Sequence, residues 1–253
     1  MANGFDPRVT ATPQPTTVGR EGVAYDAGLR SYMLSVYNYM ASGVLLTGIV
    51  ALLFAWNTAP AGAINNSLAA QLFINGGILA WLVVLSPLAI VFAMSFGINR
   101  MSTATARLLF WVYAVLMGLS LSSVLLVYTG ASVAQTFFAS AAAFASLSLW
   151  GYTTKRDLSA MGTFLIMGLF GLIIAMLINF FMQSSTLSLA ISAIGVLIFA
   201  GLTAYDTQKI KSIYFHVAGS EMVGKSIVMG ALTLYLDFIN LFMFLLRFMG
   251  DRR

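Results

Sequence analysis

Long apolar runs without a single charge dominate the chain. No Asp, Glu, Lys or Arg occurs in residues 31–99, 108–154 or 158–205. Polar and Gly/Pro/Asn breaks divide the sequence into seven apolar segments, at roughly 33–56, 72–96, 108–128, 132–150, 160–182, 187–205 and 227–248. Each is long enough for an α-helix to cross a bilayer, whereas strands of a transmembrane barrel are short and alternate. The pattern therefore predicts an all-α membrane protein with seven transmembrane helices.

The basic residues between these segments predict the orientation of the helices. The connections after the second, fourth and sixth segments hold Arg100, Arg107, Lys155, Arg156, Lys209, Lys211 and Lys225, and the other three hold no Lys or Arg. Because Lys and Arg are retained in the cytoplasm, these connections and the N-terminus are expected there. A full seventh crossing then places the C-terminus outside, although Arg247, Arg252 and Arg253 oppose it. The alternative is a last helix that does not fully cross.

The chain divides into three regions. Residues 1–24, rich in Thr, Pro and Gly, are expected to form a disordered polar tail. Residues 25–250 form the seven-helix transmembrane domain, and residues 251–253 form a short charged C-terminal tail. Tyr25, Leu29 and Tyr32 recur at helical spacing, which fits either a short interfacial helix or an early start of the first crossing.

Composition excludes several function classes. Charged residues make up 8% of the chain and mean hydropathy is +0.90, whereas a soluble domain carries about 25% charged residues. The lack of cysteine excludes disulfides, Fe–S clusters and cysteine nucleophiles, and a single histidine, His216, excludes a multi-histidine metal site. The net charge of +5 lies at the ends of apolar segments, so we expect no nucleic-acid partner.

Asp237 is the strongest candidate for chemistry. It lies roughly ten residues, or about 15 Å of helix, into the last apolar segment. An ionisable group at that depth costs roughly 3 kcal/mol and usually has a function, although a structural hydrogen bond to a neighbouring helix is the alternative. A polar stripe shares its helical face and is interpreted as pore-facing, with a packing seam as the alternative: Ser226, Gly230, Thr233, Asn240 and Arg247.

Asp206 and Arg100 are the candidate partners of Asp237. Asp206 closes the sixth apolar segment, and a polar face of that segment brings it towards the last helix. Two close carboxyl groups would titrate jointly, and their oxygens suit a hard cation such as Ca²⁺, which makes Asp206 and Asp237 a candidate metal site. Arg100 ends the second segment on the same side and is a candidate counter-ion. The alternatives are an ordinary helix-end aspartate and a snorkelling arginine.

Three segments carry a resemblance to a known family. Residues Gly230–Arg247 (GALTLYLDFINLFMFLLR) closely resemble the signature of the transmembrane Bax inhibitor motif family. Ala204–Ile210 (AYDTQKI) resembles its sixth-helix motif, and Gly151–Leu158 (GYTTKRDL) resembles the loop after its fourth helix. With the seven-segment pattern, the resemblance covers roughly residues 25–250 and is greatest to the bacterial, YccA-like branch.

The resemblance implies a bundle of six helices around a central C-terminal helix, in the bacterial cytoplasmic (inner) membrane. It also implies a pH-responsive latch, whose residues match Asp206, Asp237 and, by position, Arg100. A calcium leak is attributed to some members. The chain departs from the family in two places. A longer loop of roughly 20 residues is expected around His216 and Glu221 and would change gating. Residues 72–96 contain no acid, which puts the strength of a calcium site in doubt.

Two functions follow, and neither is enzymatic. The first is a pH-gated cation leak channel, with Ca²⁺ as the transported ion and without a cofactor. The second is a regulatory membrane protein that binds a membrane protease or a stress or cell-death factor without conducting ions. An intramembrane aspartyl protease is disfavoured, because Leu234-Tyr-Leu-Asp237 lacks the Gly-x-Gly-Asp motif of such enzymes.

The charge pattern generates a topology prediction. Reporter fusions at the connections containing Arg100, Lys155 and Lys209 are expected to report cytoplasm, because these connections hold the basic residues. A fusion after Arg252 is expected to report the opposite side. An external signal from any of the three basic connections would reject the orientation.

Overall fold

A computed structural model describes residues 18–57 and 66–252, with side chains from Ala27 onwards. These residues form eight α-helices: α1 (Val18–Phe54), α2 (Leu68–Asn75), α3 (Ile78–Gly97), α4 (Thr103–Val127), α5 (Gly130–Thr153), α6 (Ser159–Met182), α7 (Ser185–Val217) and α8 (Met222–Met249). All except α2 are long and apolar enough to cross a membrane. The predicted all-α fold with seven membrane helices is confirmed.

Local chemistry explains where the helices begin and break. The hydroxyls of Ser67, Ser102, Thr129 and Ser184 accept hydrogen bonds from backbone N–H groups in the first turns of α2, α4, α5 and α7. Gly77 has a φ of 52°, a left-handed value that glycine adopts at little cost, and it separates α2 from α3. The predicted second crossing at 72–96 is therefore divided, and its membrane helix begins at Ile78.

The sixth crossing differs from the prediction at its C-terminal end. Asp206 does not close the helix, because α7 continues for three more turns to Val217 and only residues 218–221 connect it to α8. The predicted loop of about 20 residues is therefore wrong. His216 lies in the last turn of α7, where its Nδ1 is 3.1 Å from the carbonyl of Ser212. The apolar run marked the membrane-embedded part of the helix, but an α-helix needs no apolar residues once it leaves the bilayer.

The first crossing has no break in its N-terminal turns. α1 is continuous over 37 residues, and both Leu29 and Tyr32 are buried in the bundle. This favours an early start of the first crossing over a separate interfacial helix. Of the predicted tail, residues 1–17 lie outside the described residues, and residues 18–24 are helical. Arg253 also lies outside the described residues.

α8 is the most enclosed of the seven membrane helices. Of its most apolar stretch 67% is buried, against 11% for α3 and for α6. It packs on α1, α4, α5 and α7, while α3 packs mainly on α4 and α6 on α7. Aromatic rings fix several of these contacts: Tyr235 meets Tyr113 of α4 at 5.1 Å, and Phe238 meets Phe144 of α5 at 5.6 Å. The C-terminal helix is central, with α3 and α6 in an outer position.

The two ends of the bundle differ in charge. Three basic connections meet at one end, where Lys225 Nζ is 3.5 Å from the carbonyl of Asn99 and Gln208 Nε2 donates to the carbonyl of Arg156 at 2.8 Å. There the hydroxyl and the N–H of Ser159 also hydrogen-bond Asp157, which holds the pKa of this carboxyl below its ordinary value.

The C-terminus lies at the other end of the bundle. Thr129 N–H donates to the carbonyl of Asp251 at 3.1 Å, and Asp251 N–H donates to Ser132 Oγ at 2.9 Å. α8 therefore runs the full length of the bundle, away from the basic connections.

The close approach of α5 and α7 generates a stability prediction. A Cβ added at Gly151 would collide with the backbone carbonyl of Ala204, which cannot swing aside as a side chain can. Gly151→Ala is therefore expected to cost about 1–3 kcal/mol, measured as thermal or denaturant unfolding of the purified protein. Gly171→Ala is the matched control, because nothing lies within 4 Å of its Cβ. Equal stability of the two variants would contradict this packing.

Candidate functional site

The structure brings Asp206 of α7 and Asp237 of α8 together in the interior of the bundle. Their side chains lie within hydrogen-bonding reach of each other. Both are buried, with exposed fractions of 9% for Asp206 and 4% for Asp237. The extension of α7 beyond Asp206 makes the contact possible, because it carries the carboxyl group inside a packed helix pair and not on a loop.

One carboxyl oxygen of Asp237 lacks a hydrogen-bond donor among the described residues. Its Oδ2 is buried, and no hydroxyl, amide or cation among the described residues donates a hydrogen bond to it. Ionised carboxylates only accept hydrogen bonds, so two of them cannot bond each other unless one holds a proton. The geometry therefore suits an Asp206–Asp237 pair that shares one proton and carries one negative charge.

Lys209, and not Arg100, is the basic residue whose positive charge acts on both carboxyl groups. It is exposed and follows Asp206 by one turn of α7. Its Nζ also lies 5.8 Å from the centre of the Tyr205 ring. Arg100 is exposed on the turn after α3, a helix that packs mainly on α4. Within the described residues Arg100 makes no contact with the aspartates, because α3 is peripheral, which position along the chain did not reveal.

A chain of hydroxyl groups approaches the pair from α1 and α5. Tyr37 Oη of α1 and Ser148 Oγ of α5 are 2.6 Å apart, and Ser148 Oγ is 2.8 Å from Thr207 Oγ1, in the residue after Asp206. Thr207 and Thr203 also bond carbonyls of their own helix at 2.8 Å. These hydroxyl contacts could not be predicted from the sequence. Single Ser, Thr and Tyr residues in apolar segments have no spacing pattern that relates three different helices.

The proposed pore-facing stripe is only partly gathered around the aspartates. Thr233 and Asn240 are half-buried, and each bonds a carbonyl one turn back in α8, at 3.1 and 2.8 Å. Arg247 is exposed near the far end of α8, with its guanidinium 5.7 Å from the Phe244 ring. It lines a polar cavity of about 420 Å³ together with Arg252 and the residues between α6 and α7.

The carboxyl pair falls short of a resident calcium site. Ca²⁺ takes six to eight oxygen ligands. Within the described part of the chain, no group of three or more His, Asp, Glu or Cys side chains is gathered in one place. Asp206 and Asp237 therefore fit a brief contact with a passing cation better than its retention.

The chain is similar in sequence to a described family and to several bacterial proteins. The sequence pattern of the family described as "Inhibitor of apoptosis-promoting Bax1" matches residues 29–253. Protein RP147 of Rickettsia prowazekii is 49% identical over 238 residues, which cover 94% of this chain and 96% of that protein. Inner membrane protein YbhL of Escherichia coli is 45% identical and covers 90% of this chain and 94% of its own length. A protein of Caulobacter vibrioides is 44% identical, with 92% and 94% covered.

The shared proton generates a spectroscopic prediction. At neutral pH, infrared difference spectra of the purified protein are expected to contain the stretching band of one protonated carboxyl group, and Asp237→Asn is expected to remove it. Asp157→Asn is the matched control, because this aspartate is exposed and bonded to Ser159. A wild-type protein without a protonated carboxyl band at neutral pH would contradict the shared proton.

Proposed function

The chain belongs to the Bax inhibitor family, and we propose that it is a cation leak pathway whose opening is controlled by the proton shared between Asp206 and Asp237. The observation that carries the proposal is the contact of two buried carboxyl groups in the interior of a membrane bundle, where none of the described residues donates a hydrogen bond to Asp237 Oδ2. Ionisable groups at this depth are expensive and commonly line ion pathways or proton relays. Ca²⁺ is the proposed transported ion, since carboxylate oxygens are its preferred ligands.

The described arrangement serves as the closed state in this proposal. A pair with one proton has one negative charge, which Lys209 attracts from the next turn of α7. The contact holds α7 and α8 together across the route that a cation would take. Aromatic packing of α8 against α4 and α5 leaves the helix enclosed, so passage requires α7 and α8 to separate.

Acidification is the proposed opening signal. A second proton on the pair removes its negative charge and therefore the attraction to Lys209. The closed state loses this attraction as pH falls, so the leak rises towards acidic pH. An interaction worth about 1.4 kcal/mol changes a two-state equilibrium about tenfold, which is enough to gate a small flux.

The bacterial inner membrane is the proposed location, with the basic end of the bundle in the cytoplasm. The inner-membrane relative YbhL and the seven apolar helices support this location. The clustering of basic connections at one end supports the orientation. Protons from one of the two compartments that the membrane separates would then reach the carboxyl pair through the bundle.

Flux measurements on liposomes that contain only this protein test the proposal. Wild-type protein is expected to pass Ca²⁺ faster as the pH is lowered. Asp206→Asn and Asp237→Asn are each expected to flatten this pH dependence, because an amide cannot share or release the proton. Lys209→Gln is expected to raise the leak at neutral pH by up to about tenfold, while Arg100→Gln, its matched control at the same end, leaves it unchanged.

Two outcomes would reject the proposal. An unchanged pH–flux curve in Asp237→Asn would show that the pair does not gate the pathway. No cation flux at any pH from folded wild-type protein would leave a regulatory role, in which the protein acts by binding another membrane protein.

A further inference from the structure

A lateral groove runs between α1 and α5. α1 packs on α4, α7 and α8, and α5 packs on α7 and α8, so the two helices flank a cavity of about 700 Å³. Residues at helical spacing line its walls, from Arg30 to Leu45 on α1 and from Phe137 to Tyr152 on α5. Phe238 of α8 contributes to the lining between them. This volume lies within the range of roughly 300–1,000 Å³ found for small-molecule pockets.

The groove is apolar along most of its length. Small side chains on both walls, among them Ala41, Ala141 and Ala145, keep the space between the helices open. The hydroxyls of Tyr37 and Ser148 are already hydrogen-bonded to each other. An extended peptide in this groove would therefore leave backbone N–H and C=O groups unpaired at membrane depth, which costs several kcal/mol per group. A hydrocarbon chain has no such groups.

One end of the groove carries positive charge. Arg30 lines this end and is exposed. Lys211 of α7 lies beside it, where its Nζ donates to the carbonyl of Tyr152 at 2.8 Å and sits 5.0 Å from the Tyr152 ring. Arginine suits a phosphate group because its planar guanidinium donates two parallel hydrogen bonds. This end is on the same side of the bundle as the other basic connections.

The groove is long enough to hold an acyl chain below a phosphate group bound at Arg30. Arg30 and Leu45 are separated by about 22 Å along α1, at a rise of 1.5 Å per residue. One leaflet contributes about 15 Å of hydrocarbon to a bilayer. A phosphate held at Arg30, at the membrane surface, therefore leaves a complete acyl chain to lie along the apolar walls towards Phe137.

We propose that this groove is a binding site for a glycerophospholipid, with the lipid phosphate at Arg30 and one acyl chain between α1 and α5. The apolar groove and the cation at its surface end together select such a molecule. A neutral lipid with the same chains fits the walls but gains nothing from Arg30. The proposal is independent of ion conduction.

Native mass spectrometry of the full-length protein in detergent tests the site, with phosphatidylglycerol and a diacylglycerol of identical chains as probes. Arg30→Gln is expected to weaken phosphatidylglycerol binding about fivefold, because a basic residue near the membrane surface contributes about that much to binding an anionic lipid. Diacylglycerol binding is expected not to change. Arg107→Gln is the matched control, an exposed arginine of α4 placed over the Tyr39 ring and outside the groove.

A second variant tests the acyl-chain part of the site. Ala141→Phe fills the groove and is expected to weaken binding of both lipids at least fivefold, whereas Ala139→Phe, at an exposed position on the same helix, leaves both unchanged. Thermal unfolding checks that each variant is folded, and Arg30→Gln changes no core contact.

Three results would overturn the proposal. The first is equal binding of phosphatidylglycerol by wild type and Arg30→Gln, which would indicate only a non-specific lipid shell. The second is an equal loss in Arg107→Gln, which would indicate a diffuse surface charge effect. The third is a protein dimer that Ala141→Phe dissociates, which would make the groove an interface between two copies.

Discussion

The burial of a carboxyl group in the central helix is the constraint on which the rest of this structure depends. Lipid offers no hydrogen bonds, so a polar group at this depth must find its partners inside the protein. Asp237 contacts Asp206, and this contact requires α7 and α8 to lie against each other with both carboxyl groups inside the bundle. Lys209, one turn further along α7, supplies a positive charge that acts on both carboxyl groups.

The surrounding helices enclose this pair in two layers. α1, α4, α5 and α7 contact α8 directly, and aromatic rings of α4 and α5 pack against Tyr235 and Phe238. α3 and α6 lie outside this layer and are mostly exposed, as helices in contact with lipid can be. The bundle interior is mainly apolar, as in a soluble protein, but the exposed faces of these helices are apolar as well, which follows from the bilayer as solvent.

Polar contacts between helices connect the lateral groove with the carboxyl pair. The hydroxyls of Tyr37, Ser148 and Thr207 form a line from the lateral groove to the turn of α7 that carries Asp206. A change in the spacing of α1 and α5 would therefore reach α7 through two hydrogen bonds. The proposed lipid groove and the proposed gating pair therefore lie on a shared set of helices.

The amino-acid sequence by itself determined the number of membrane helices, because crossing the bilayer requires a run of apolar residues that is visible without any tertiary contact. It also singled out Asp237 and Asp206, since a carboxyl group within or at the end of such a run is costly. The sequence did not show that α7 extends to Val217, because a helix outside the bilayer leaves no apolar signal. Only the tertiary structure decided which basic side chain acts on the carboxyl pair. Lys209 and Arg100 both follow apolar runs, and only helix packing places α7 against α8 and α3 at the periphery.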